Sequence, residues 1–500
     1  MRRAAETDAR DLARGAGANY LGYAFRMGAR APFLLIAAML YGESSFGEYV
    51  FALSVVETAG ALALFGMRRS LFKFMSEAAA RGESVHRAIA NGIALALVTG
   101  GLMTLLIAGT AFPLANLLRL PAAAPALFLL SASIPLNVIT DLLLVTIRFT
   151  RQMRFEVVAK SIVEPLALSA VAAGVWYLGD REYGLVTAYL GALAVATVTI
   201  VYFFAKVFPL AACLRAPLAW GEMRRLVSFS GPTAAYEMLT LLSDQADVYL
   251  VSYFFPASTV GIYGMARQFA TFTRKIRQGF DRILPPVLSD AIAAGDLSRV
   301  GGQLALVSRW ILSVQVIMII GFASFGDNVL GLLGGDFSTG ALTLTLLLIG
   351  DTINGSLGIA ELPIIYLRPR VNYLVGAVRI GLTVGLGIWM ASSFGLEGVA
   401  ISVATTFLVV NLLRIVINRR LFGIRTVNFG VLKPLLAAIP PVVTIVALLA
   451  LFHGQGFWQV ALGVPLAIAG YFGTMYALGL EPEETTWISR ALKRVSISST

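Results

Sequence analysis

Apolar stretches of about twenty residues recur along the whole chain, and few folds can accommodate them. A helix of that length crosses roughly 30 Å of hydrocarbon. Fourteen stretches can be drawn: 17–41, 48–66, 88–111, 124–147, 161–179, 184–205, 227–253, 258–280, 304–325, 340–360, 374–393, 397–417, 434–452 and 457–479. The chain is 58% hydrophobic and 13% charged, whereas soluble domains are about 25% charged. Too little polar surface exists to clothe soluble domains. Membrane β-barrels would show alternating segments of about ten residues, and none is seen. The expected fold class is all-α: a polytopic membrane protein with about fourteen transmembrane helices.

The net charge of +11 could serve nucleic acid, but its placement argues for a membrane topology. Numbering the gaps alternately puts nearly all basic residues on one side. That side holds Arg2, Arg3, Arg10 and Arg14, then Arg68, Arg69, Lys73, Arg81 and Arg87, and later Arg148, Arg151, Arg154 and Lys160. The opposite side holds only Arg119 and Arg181. By the positive-inside rule the crowded side is cytoplasmic, so both termini are expected there and no nucleic-acid partner is expected. Met1 to Gly15 lacks the apolar core of a signal peptide, so the first span is expected to stay in the mature protein.

A shift of 214 residues superposes the first span on the seventh. Gly17 then falls on Gly231, Ser44 on Ser258, Gly47 on Gly261 and Tyr49 on Tyr263. At a similar offset Tyr183-Gly-Leu185 resembles Phe394-Gly-Leu396. Two parallel six-helix halves follow, pseudo-symmetric lobes (1–210 and 211–425) around a central cavity, with two additional helices (426–480) and a cytoplasmic tail (481–500). Transporters with such repeats bind substrate between the halves. Residues 206–226 and 418–433 read as the long cytoplasmic joins.

Charges inside spans are costly and need a partner or a wet cavity. The first span carries Asn19, Tyr23, Arg26 and Arg30 on one helical face, and the seventh carries Thr233, Glu237, Thr240 and Asp244 at the equivalent positions, with Asp247 one turn on. Both faces are expected to line the cavity. Arg26 and Arg30 suit an anionic substrate, and Asp244 and Asp247 suit pairing with them or uptake of a coupling cation. In the eighth span Arg267 and Arg274 share a face and suit phosphate, since a guanidinium fork makes two parallel bonds; Arg274, Lys275 and Arg277 also suit anchoring at the interface. Glu57, Asp141, Glu164, Arg309, Asp351 and Arg379 read as interhelical pairs. Glu57 joins Glu237, Asp244 and Asp247 as a candidate for coupling or gating. Acids slightly outnumber arginines in the spans, so counting does not predict a strongly positive cavity.

Enzyme chemistry has little to stand on. There is no glycine-rich loop followed by Lys-Ser or Lys-Thr and no GxGxxG. The two histidines, His86 and His453, are far apart, and the single cysteine, Cys213, excludes an internal disulfide. No metal site or cofactor is expected, and no join is long enough to carry a catalytic domain. A polymerase or ligase would need such a loop.

Several short motifs stand together along the chain: Gly17, Phe46-Gly-Glu-Tyr49, Gly66-Met-Arg-Arg69, Asp244 through Asp247, Val260-Gly-Ile-Tyr263 and Leu284-Pro-Pro-Val-Leu-Ser289. As a set they resemble the polysaccharide transporter family, the O-antigen and exopolysaccharide flippases of the multidrug/oligosaccharidyl-lipid/polysaccharide superfamily. The resemblance implies a bacterial inner-membrane protein that moves undecaprenyl-pyrophosphate-linked oligosaccharide from the inner to the outer leaflet by alternating access. It would serve O-antigen, capsule or exopolysaccharide synthesis alongside other assembly proteins. It places Arg26, Arg30 and Arg267 where relatives carry functional arginines, and leaves the driving force open among proton, sodium and membrane potential. A lipid II flippase and a multidrug/cation antiporter are the neighbouring alternatives.

Overall fold

The computed structural model describes residues 28–281, 283–451 and 456–479. Gly17, Asn19, Tyr23 and Arg26, and the tail from Glu481, lie outside the described residues. All regular elements among the described residues are helical, as lipid demands: within hydrocarbon each backbone N–H and C=O must be satisfied internally.

The first half begins with α1 (28–36), continued by a π-helical turn Ala37–Tyr41, then α2 (Gly42–Leu64) and the amphipathic α3 (Met67–Ala80). It continues through α4 (His86–Leu117) and the pair α5 (Ala124–Leu130) and α6 (Ser133–Phe149), bent by 44°. Next come α7 (Met153–Glu156), a π-helical stretch Val157–Val163 and α8 (Glu164–Tyr177), which form one continuous run, then α9 (Gly184–Val207) and the short α10 (Leu210–Arg215). The second half contains α11 (Trp220–Phe254), α12 (Ala257–Gln278), α13 (Leu284–Ala293), α14 (Leu297–Gly331), α15 (Ala341–Leu357), α16 (Glu361–Leu367) and α17 (Pro369–Phe422). Beyond these lie α18 (Leu432–Ala437), α19 (Ile439–Leu451) and α20 (Gly456–Ala477), with α18 and α20 packed on α14.

A helix lies over the described part of every predicted stretch. Eight helical runs among the described residues are long and apolar enough to cross a membrane, or nine if the bent pair is one span. The chain is therefore a multi-pass membrane protein. Helices α11 and α12 are not among those runs, because they carry Glu237, Asp244, Asp247, Arg267 and Arg274.

Several ends differ from expectation. The fifth span begins at Met153, so Arg154, Glu156 and Lys160 are helical. The expected join 206–226 contains α10 and the start of α11, and α17 runs on to Phe422. Hydropathy marks only the part of a helix in hydrocarbon, whereas backbone hydrogen bonding carries it into the polar interface. Inside α17, Gly395 adopts φ 68° and ψ −145°. That conformation, open to a residue without Cβ, separates the two predicted spans merged there.

The repeat-matched residues meet in space. Helix α2 packs extensively along α12, and the two cross backbone to backbone at Gly47 and Gly261. A Cβ on Gly47 would overlap Ala257 O, and one on Gly261 would overlap Glu43 O. One turn further, a Cβ on Gly264 would sit 2.8 Å from Val50 Cγ2. Tyr49 and Tyr263 are buried beside this crossing. The weak internal similarity thus records a contact in which matched segments face each other.

Cys213, in α10, is 1% exposed, and burial pushes its thiol above the usual range. A raised pKa lowers the thiolate fraction at neutral pH. Alkylation of the native protein by iodoacetamide at pH 7 is expected to be at least about tenfold slower than in denaturant, and to accelerate as pH rises through the thiol's raised pKa. Equal rates in the two states would show that α10 does not shield this thiol.

Candidate functional site

A cavity of about 400 Å³ opens among α1, α2, α6, α8, α9 and α12. Its walls carry four bases (Arg30, Arg148, Lys160 and Lys275) and four acids (Glu57, Asp141, Glu156 and Glu164). Most are engaged. Arg148 grips Glu156 with two bonds of 2.6 Å, Lys160 lies 2.7 Å from Glu164, and Asp141 accepts from Arg68 at 2.5 Å. The Lys275 ammonium donates to Gln278 Oε1 at 2.9 Å. Two groups stand apart. Arg30 is exposed to the cavity and makes no ion pair or hydrogen bond with any described residue. Glu57 is also exposed there, and Gln245 Nε2 donates to it at 2.9 Å.

Arg267, Arg274, Asp244 and Asp247 belong to a set of ion pairs across α11, α12, α15, α16 and α17. Arg267 Nε lies 3.2 Å from Asp247 Oδ2, its Nη1 donates to Gln245 Oε1 at 2.9 Å, and its Nη2 donates to Asp244 O. Tyr263 OH donates to Asp247 Oδ2 at 2.8 Å. Arg379 donates to Asp244 at 2.5 Å, and Arg274 to Asp351 at 3.2 Å. Arg414 reaches Glu361 at 3.1 Å. Arg267 and Arg274 offset the desolvation of the buried carboxylates Asp247 and Asp351, whereas Asp244 remains partly exposed.

Among the described residues, the matched polar positions of the first and seventh spans lie in different places. Arg30 lines the 400 Å³ cavity. Thr240 instead lines a separate space of about 50 Å³ with Asn372, Arg379 and Arg414. Glu237 lies 3.8 Å from Arg69 of α3. Asp244 and Asp247 pair with Arg379 and Arg267 rather than with Arg30. Expected interhelical pairing holds for Asp141, Asp351 and Arg379, whereas Glu164 pairs with Lys160 one turn earlier in its own helical run. Sequence reasoning missed Glu156, and it placed Arg148 and Lys160 in a loop. The signal was present: Glu156, Lys160 and Glu164 recur every four residues, the spacing of one helical face. Among the described residues, no group of three or more His, Cys, Asp or Glu is placed to hold a metal ion.

Helices α2 and α11 also meet through this polar layer. Besides the Gln245–Glu57 bond, Tyr249 OH lies 2.6 Å from Thr58 Oγ1. Glu57 and Thr58 belong to α2, Gln245 and Tyr249 to α11, so any parting of these two helices must break both contacts.

The fold is shared with known transporters. The chain is similar to the lipid II flippase MurJ in an inward closed conformation, with a TM-score of 0.75 at 12% identity over 92% of this chain and 98% of that one. It is similar to an inward-facing multidrug resistance MATE family transporter of the MOP superfamily, with a TM-score of 0.64 at 12% identity over 79% of this chain and 94% of that one. A Vibrio cholerae MATE transporter matches with a TM-score of 0.56 at 14% identity, over 84% and 98% of the two chains. No curated protein sequence matches significantly. The family model described as polysaccharide biosynthesis protein matches residues 12–283, more than half of the chain. Its helical fold is the one those transporters share, and on the family match the chain belongs to the polysaccharide biosynthesis protein family.

Proposed function

We propose that the chain flips a polyprenyl-pyrophosphate-linked oligosaccharide from the inner to the outer leaflet of the bacterial plasma membrane. The halves 1–210 and 211–425 would alternate access to the cavity, with 426–480 as additional helices and both termini cytoplasmic. The observation that carries this reading is Arg30, a guanidinium facing the cavity with its donors uncommitted among the described residues. A pyrophosphate would give those donors charge-assisted bonds, each worth about 1.5–3 kcal/mol. Arg267 and Arg274 are held by Asp247 and Asp351 and act as support for that set of ion pairs. Of the four coupling candidates, Glu57 is favoured: it faces the cavity and has no ion pair among the described residues, whereas Glu237, Asp244 and Asp247 each have a basic partner. The neutral balance of the walls suits a polar glycan better than a purely anionic cargo.

The test is leaflet exchange in liposomes of a fluorescent polyprenyl-pyrophosphate oligosaccharide, read by a membrane-impermeant quencher. Wild-type protein should equilibrate the probe, and Arg30→Ala should slow it about tenfold or more, as loss of one such bond requires. Unchanged exchange in Arg30→Ala would remove that residue from the path. Exchange of lipid II but of no oligosaccharide lipid would reassign the cargo, and no exchange under proton, sodium or voltage gradients would overturn the flippase reading.

A further inference from the structure

A second cavity, of about 430 Å³, lies well away from Arg30, where α10 and the start of α11 meet α3 and α4. The positive-inside bias assigns this end to the cytoplasmic surface. Its wall carries Arg81, Arg87 and Arg225 with the imidazole of His86, against two carboxylates, Glu83 and Glu222.

The carboxylates consume only part of this charge: Glu222 engages Arg87. Arg81 and Glu83 are 3.2 Å apart with side chains 56% and 59% exposed, a geometry worth little in water. Arg225 lies over the Phe74 ring at 5.9 Å and has no carboxylate at ion-pair distance among the described residues. Glu222 is occupied structurally. It accepts from Asn91 at 2.7 Å and lies 3.0 Å from Arg87, while Asn91 Oδ1 accepts from Ala219 N at 2.9 Å. That cluster pins the start of α11 to α4. Apart from Ser84, whose hydroxyl lies 2.7 Å from His86 Nδ1, the rest of the wall is apolar, including Phe74, Ala216 and Leu226. The pocket also sits at the first turn of α4, whose partial positive charge adds to the arginines.

A pocket with arginines at its mouth and an apolar wall, at the end of membrane helices, matches a phosphate group with alkyl chains attached. Planar guanidinium forks take phosphate oxygens in pairs, and basic pockets on the cytoplasmic side of helices take anionic headgroups. We propose that this cavity binds the phosphate of an anionic phospholipid from the inner leaflet, and that the bound lipid staples the chain segment joining the two halves. The site is independent of the cargo reading above.

Native mass spectrometry of the full-length protein in detergent tests this, with phosphatidylglycerol, phosphatidylcholine and inorganic phosphate as separate probes. Hydrogen exchange over residues 208–219 is followed in parallel. One saturable phosphatidylglycerol is expected, bound at least tenfold more tightly than phosphatidylcholine and slowing exchange in the join. Arg81→Gln/Arg225→Gln should weaken it about tenfold. Ala216→Trp, which fills the cavity and keeps its charge, should abolish it. Retention of the same melting temperature by both variants excludes misfolding as the cause. Inorganic phosphate binding equally well would keep the phosphate chemistry and assign a soluble source. Wild-type lipid affinity in both variants, or no change in exchange over the join, would overturn the proposal.

Discussion

A Gly261→Val chain should insert into the membrane and lose at least tenfold in leaflet exchange. A Cβ at this position overlaps Glu43 O, a backbone atom that cannot rotate away as a side-chain tip could. Helices α2 and α12 must then separate across their whole crossing. Overpacking of a fitted contact costs about 1–3 kcal/mol, and about 1.4 kcal/mol shifts a two-state population tenfold. The conformation with this crossing closed becomes a minor state, and a carrier that cannot return to it stalls. Spin labels at Ser44 and Ser258, in a Cys213→Ser background, read this directly as a longer, broader distance distribution. Gly60→Ala on the partner helix α2 is the control, because a Cβ there meets nothing within 4 Å, and its exchange rate should match wild type. An unchanged distance in Gly261→Val would mean that the crossing is not a moving contact.

The second large effect concerns stability. Asp351 is 4% exposed and its carboxylate is held by Arg274. Arg274→Ala should cost about 3–5 kcal/mol, the usual consequence of stranding one charge of a buried pair. The double variant Arg274→Leu/Asp351→Leu should recover most of it, because both desolvation costs vanish together. Thermal melting of the detergent-solubilised protein measures both. A loss below about 1 kcal/mol for Arg274→Ala would place that pair in a wet environment, and would return Arg274 to the set of groups available to a phosphate.

These two cases also show how far the sequence reaches. Gly47 and Gly261 were visible as a matched pair because a repeat preserves its contacts at equal offset. The meaning of the match, backbone against backbone, required two helices to be laid side by side. Arg30 was singled out by a spacing of four and three residues, the period of a helix, and it is the one member of that face among the described residues. Its partner face on α11 carried the same pattern and yet turned toward Arg379 of α17, 135 positions beyond Asp244.

What the sequence by itself determined is the all-helical, multi-pass character of the protein and most of its helices. Lipid forces each segment to satisfy its own backbone locally, so about twenty apolar residues suffice to announce a helix. Only the tertiary structure decided which charges are spent on one another and which face the cavity. Asp351 could have met any of several guanidinium groups, and Arg274, 77 positions earlier, holds it because α12 and α15 pack together. Ion pairing depends on distance in space, and nothing local in the chain encodes which helices will be neighbours.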